Sequence, residues 1–345
     1  MFTRHASNGA KRTIRRWVLG EVVTCTLRGM SLTSVLADRS SPLRTLLDSE
    51  LPALADLRAS YRALQPVPLP VVLPDPPSGS RPAYGTLGAA IDHRLRLALT
   101  DNCNFRDGGV GAGVRLTTSR ALGLDSRTAT AIRGAGEGVL DELDRLRVTL
   151  TPSDRSLPVR LPDADEEALC RACFVAAWFE EVYRTGKVWP GTPLGDAWPG
   201  LTADQLLTAV PTYAVNDLMT MAELAEAGLG PLRQGTDPAD VIAGPTFAGS
   251  PDVGGADADW IADGLLSDVK ATTKPATIGA EEIYQLAGYV LLDYDDEYRI
   301  DRVGWYLARA GWLVDWSVDE FFTLLGATRT IKELRLAMAD ATGST

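Results

Sequence analysis

The chain has 345 residues, 45% of them hydrophobic and 23% charged. These proportions suit a soluble globular enzyme of one large or two ordinary domains and exclude a disordered tail or a collagen. Four cysteines are too few for a disulfide scaffold, no run of about 20 apolar residues is present to cross a bilayer, and the formal charge of -11 argues against coating nucleic acid by charge alone, so a cytoplasmic protein with no membrane is expected.

Arg4, Lys11, Arg12, Arg15 and Arg16 precede an apolar stretch, Trp17 to Leu27, which Glu21 interrupts. The pattern makes a poor signal peptide and reads as a solvated basic tail, with Met30 as an alternative start. Ser41-Pro42 supplies a cap and a first-turn proline, and leucines 43, 47, 51, 54 and 57 recur at helical spacing over 42–63. Pro52 lacks the amide hydrogen that an interior position needs, so that stretch should kink or split near Leu51. Seven of the 21 prolines lie from Pro66 to Pro82, which favours an extended connector and places a boundary after residue 82.

A helix is expected over 84–99. Asp107 to Gly113 holds four glycines and reads as a flexible loop, with no Gly-Lys-Ser/Thr behind it to cradle a phosphate. Further helices are expected near 127–148, 164–185 and 203–228, making 83–235 a helical region. In the middle one Asp163 and Glu166 have capping-pair spacing, Gly186 is the stop, and Ala168 to Phe179 is apolar nearly all round. Cys170 and Cys173 lie in that buried stretch, and with no second pair they read as core residues rather than metal ligands.

The chemistry concentrates after residue 236. Val241 to Phe247 reads as a strand. Asp263-Gly264 is a two-residue hairpin turn whose register pairs Ala262 with Leu265, Ile261 with Leu266 and Trp260 with Ser267, leaving Asp259 opposite Asp268. Alternation then puts Asp257, Asp259, Asp268 and Lys270 on one face. Two facing carboxylates about 5 Å apart repel by roughly 3 kcal/mol at an effective dielectric near 20. Lys270 offers one counter-charge, and a divalent cation such as Mg2+, or Mn2+, would supply the rest and prepare a water for attack on a phosphodiester. A plain solvated hairpin face is the competing reading.

Ala280 to Tyr294 reads as a helix with Gln285 and Tyr289 one turn apart. Strands follow at 302–308 and 312–318, then a last helix over 319–340. This order, with Asp259, then Asp268-Val269-Lys270, then Gln285-Leu-Ala-Gly-Tyr289, resembles the PD-(D/E)XK nuclease superfamily, RecB-like exonuclease branch. The resemblance covers residues 240–345. Ala258 stands where the motif has proline.

The resemblance implies an α/β protein whose αβββαβ restriction-endonuclease-like core, a mixed central sheet flanked by helices, occupies 236–345. It also implies Mg2+-dependent hydrolysis of DNA. Asp259 and Asp268 would bind the metal, with Asp257 as a competing ligand; Lys270 would orient the attacking water; Gln285 and Tyr289 would support catalysis and substrate. RecB-like relatives carry Gly-x-x-x-His on an earlier helix. Here Gly88 is followed by Asp92 at the matching offset and His93 one residue late, so either Asp92 or His93 could reach the site as an additional ligand. The acidic balance suits work beside a helicase or other ATPase, or in anti-phage defence. Two alternatives stand beside this expectation: a catalytically inactive nuclease-fold module that binds nucleic acid or a partner, and a carboxylate-pair glycosidase.

Overall fold

The computed structural model describes residues 31–100, 102–118, 122–150 and 159–343. The basic arm, Cys25 and the alternative start at Met30 lie outside the described residues. Among the described residues three short helices come first: α1 (Leu32–Ala37), α2 (Pro42–Glu50) and α3 (Leu54–Ala63). Ser41 caps α2 by accepting from the Arg44 amide, and Pro52 separates α2 from α3 as its missing amide hydrogen demands. Residues 66–82 form no helix or strand.

Six helices follow: α4 (Tyr84–Leu99), α5 (Gly109–Leu116), α6 (Ser126–Leu150), α7 (Asp163–Thr185), α8 (Ala203–Thr208) and α9 (Thr212–Gly235). Three expectations are corrected here. The glycine-rich loop is helix α5, because a β-carbon at Gly113 would lie 1.8 Å from the Phe179 carbonyl oxygen, so glycine lets two helices touch backbone to backbone. The stretch 203–228 is broken by Pro211, which caps α9 in extended conformation. Glu166 does not cap α7. It is buried and takes two hydrogen bonds of 2.7 Å from Arg94, while Pro162 stands at the cap.

The remaining elements are β1 (Ile242–Ala243), β2 (Trp260–Ala262), β3 (Leu265–Lys270), α10 (Ala280–Leu292), β4 (Arg302–Leu307), β5 (Trp312–Ser317), α11 (Val318–Leu324) and α12 (Ile331–Thr342). The strand expected over 241–247 is reduced to β1 and an isolated bridge from Thr246 to Asp257, since Gly244 turns left-handed (φ +61) and Pro245 has no amide hydrogen to donate. The last helix is two, parted at Gly326 (φ +82) and restarted by a Thr330 capping box.

The strands form one five-stranded mixed sheet in the order β1-β2-β3-β4-β5. Neighbours are antiparallel except β3 and β4, which run parallel with α10 as the crossover between them. Side-chain alternation gives the sheet two buried faces. Trp260, Ala262, Leu265, Tyr306 and Ala308 pack into a core with α4 to α9, which includes Cys170 and Cys173. Ile261, Leu266, Val303, Trp305, Val314 and Trp316 pack into the other with α1 to α3 and α10 to α12. The chain is thus a mixed α/β protein with helices on both faces of the sheet and a helical N-terminal region. Among the described residues, no helix is long and apolar enough to cross a membrane.

Candidate active site

The hairpin register sets the site. Ala262 pairs with Leu265, Ile261 with Leu266 and Trp260 with Ser267, across a turn in which Asp263 (φ +49) and Gly264 (φ +74) are both left-handed. The ladder ends there. Asp259 lies one residue beyond it, in a bend, and its Oδ2 accepts a hydrogen bond from the Val269 amide instead of extending the strand. Its carbonyl accepts from the Gly244 amide, so the acid is held by the hairpin on one side and by the segment after β1 on the other.

Asp268 and Lys270 alternate onto the sheet face that looks toward α10. Lys270 Nζ lies 2.7 Å from Asp268 Oδ2 and donates to Gln285 Oε1 at 2.9 Å; Gln285 Nε2 in turn donates to the Tyr289 hydroxyl at 2.7 Å. The Lys270 to Asp268 contact has ion-pair distance but not hydrogen-bond alignment, so Asp268 Oδ2 is a buried oxygen without a hydrogen-bond partner. Gln285 and Tyr289 are one turn apart on α10, and Phe247 stacks on the Tyr289 ring with centroids 5.6 Å apart.

From the opposite side α4 brings Asp92 and Arg96, also one turn apart. Arg96 holds Asp92 through Nε (2.8 Å to Oδ1) and reaches Asp259 Oδ1 with Nη2 at 3.3 Å. His93 turns away from this cluster. It stands 3.1 Å from Glu180 on α7 with its ring edge-on to Phe105. Glu180 also binds Arg184, whose Nη2 is 3.4 Å from Asp257. Asp257 is the most exposed of the four acids, its side chain 46% accessible against 6% for Asp268.

Burial together with Asp92 and Asp268 pushes the Asp259 carboxyl well above the ordinary carboxylate range. Burial also raises Asp92, against the pull of Arg96. For Lys270, burial disfavours the charged amine, but Asp268 and then Asp259 outweigh it and keep the amine protonated. Tyr289 is raised by burial first and then by Asp268, Asp259 and Asp257, so it remains a neutral phenol.

Against models of protein families, curated proteins and solved structures, the chain gives no match.

The donor set suits a hard cation. Asp259, Asp268 and Asp92 are acids drawn into one buried neighbourhood, burial first and then repulsion from the other two raises Asp259, and Asp268 Oδ2 is met by the Lys270 amine alone. Among the described residues no set of three such side chains already stands at mutual ligating distance. Arg96 and Lys270 now supply the positive charge between the acids.

Arg96, Glu180 and Arg184 escaped sequence reasoning. Their partners in the site lie far away in the chain, 163 residues for Arg96 and Asp259. The available signal was helical spacing: Arg96 follows Asp92 by four residues, and Arg184 follows Glu180 by four.

Proposed function

We propose that the chain is a metal-dependent nuclease that hydrolyses phosphodiester bonds in DNA, built on a restriction-endonuclease-like core. The observation that carries this reading is the burial of Asp259 and Asp268 beside the Lys270 amine, at the end of a hairpin and under a helix whose Gln285 holds that amine. Supporting it, three antiparallel strands, a helix and a strand parallel to the third follow one another in the order of the αβββαβ core.

Asp259 and Asp268 would hold Mg2+ (or Mn2+), with Asp92 as a third candidate ligand and Asp257 behind it because it is the most exposed of the four acids. The ion would neutralise the acids, polarise a phosphoryl oxygen and lower the pKa of a bound water. The other roles fall to the chain itself. Lys270, protonated and anchored between Asp268 and Gln285, orients the attacking water and stabilises charge developing on the phosphate. Gln285 fixes the amine, and Tyr289, accepting from Gln285, keeps its own O–H free to donate to a substrate oxygen. Arg96 holds Asp92 and Asp259 together. The chain's acidity favours action on DNA delivered by another protein, such as a helicase or other ATPase, in DNA processing or anti-phage defence.

Incubation with linear and circular DNA in Mg2+, Mn2+ or EDTA, beside Asp268→Ala and Lys270→Ala, tests the reading. Cleavage abolished by EDTA and lowered about a hundredfold or more in both variants is expected. Undiminished activity in both variants would overturn the site, and binding without cleavage in the wild type would favour a non-catalytic module.

A further inference from the structure

Among the described residues, two tryptophans are turned to water. Trp189 and Trp198 are 46% and 49% exposed, in the segment that joins α7 to α8. That segment is ordered by its own bonds: the Trp189 carbonyl accepts from the Thr192 hydroxyl and amide, and the Gly191 amide donates to Asp196 Oδ1. Gly195 is required for this shape, since a β-carbon there would lie 1.9 Å from the Trp189 carbonyl oxygen. The indole is therefore presented by a built loop. Lys187 Nζ lies over the Trp189 ring, 5.3 Å from its centroid, and pairs with no carboxylate among the described residues.

The loop begins just after Arg184, whose guanidinium meets Asp257 at the exposed edge of the site. Glu180, Tyr183 and Arg184 occupy one face of α7, at spacings of three and four. Glu180 meets His93 and Arg184 meets Asp257, so this face abuts the acids, and Tyr183 on it is 52% exposed. Trp189 follows Arg184 by five residues, so their α-carbons are at most about 17 Å apart. Aromatic rings open to solvent, a free cation over one of them and a chain separation of five residues from an arginine at the edge of the site are the components of a base-stacking platform for single strands.

Building on the nuclease reading, we propose that Tyr183, Lys187 and Trp189 bind unpaired nucleobases next to the scissile strand, making single-stranded or frayed DNA the preferred substrate. Duplex DNA, whose bases are already stacked, gains nothing from such rings. A protein partner covering the same rings is the competing occupant.

Anisotropy titrations of the full chain in EDTA, with a labelled oligothymidylate and a blunt duplex of equal length, test the platform apart from catalysis. The wild type should prefer the single strand, Trp189→Ala should weaken that binding about tenfold while leaving duplex binding unchanged, and Trp189→Phe should restore most of it. Equal affinity of wild type and Trp189→Ala for the single strand, no preference over duplex, or no binding would overturn the platform, the last two also being what a protein-binding loop would give. Failure of the nuclease reading is seen separately, as preserved single-strand binding without Mg2+-dependent cleavage.

Discussion

Lys270 Nζ lies 2.7 Å from Asp268 Oδ2 and 2.9 Å from Gln285 Oε1, so a single amine joins β3 to α10. If Gln285 acts through Lys270, their losses should not add. Lys270→Ala should lower kcat on linear DNA by about 10²- to 10⁴-fold and Gln285→Ala by about tenfold, with the double variant no worse than Lys270→Ala. Single-turnover cleavage by the three variants checks this. Fully multiplicative losses would mean that Gln285 works independently of the amine.

Asp259 gives a pH dependence of defined sign. Its carboxyl is raised by burial, Asp92 and Asp268, so the folded state holds that proton more tightly than the unfolded chain. The stabilisation is present below the unfolded value of about 3.9 and is lost as pH rises through the higher folded value. In EDTA, wild type should therefore lose thermal stability relative to Asp259→Asn as pH is raised from about 4 to about 8, and Mg2+ should recover the difference in wild type. A gap in melting temperature that stays constant with pH would count against the raised acid.

Away from the site, Arg94 and Glu166 form an ion pair with both side chains fully inaccessible. Arg94→Met leaves the Glu166 carboxylate buried without its counter-charge and should cost about 3–5 kcal/mol in urea denaturation. Adding Glu166→Leu should recover most of that loss. A double variant as unstable as the single one would assign the effect to shape instead of charge.

The hairpin turn offers a backbone test. Gly264 has φ +74, and a β-carbon there would come 2.4 Å from Asp301 Oδ1, the tip of an exposed side chain that can move aside. What remains for Gly264→Ala is the left-handed conformation, about 1–2 kcal/mol. Thermal melts should show that loss, and a variant as stable as wild type would mean that the turn tolerates a different geometry.

Legibility followed the range of the interactions. The register of β2 and β3 could be read because a two-residue turn dictates it locally, and the bend at Asp259 could not, because it depends on the Val269 amide and on Gly244 after β1. Pro52 announced its helix break, and Pro211 carried the same signal inside an apolar run that suggested continuity. Gly109 and Gly113 of α5 looked like part of a flexible loop because what they meet on α7, Glu180, Tyr183 and Phe179, lies about 70 residues away. In the site, Asp268, Lys270, Gln285 and Tyr289 share local elements and could be grouped beforehand, whereas Arg96 joins Asp259 only through the tertiary fold.

The second hydrophobic face of the sheet also sets an order of events during synthesis. Leu43, Leu47 and Leu57 on α2 and α3 pack in the same core as Trp305 and Trp316, and the Trp316 indole donates to Ser60 from 256 residues further on. At about 5–20 residues per second, a ribosome needs roughly 13–50 s to bring that cover out after the leucines have emerged. Through that interval the first helices expose bare apolar stripes, so the nascent chain is the form of this protein most dependent on chaperones, and prematurely terminated products should be the first to aggregate.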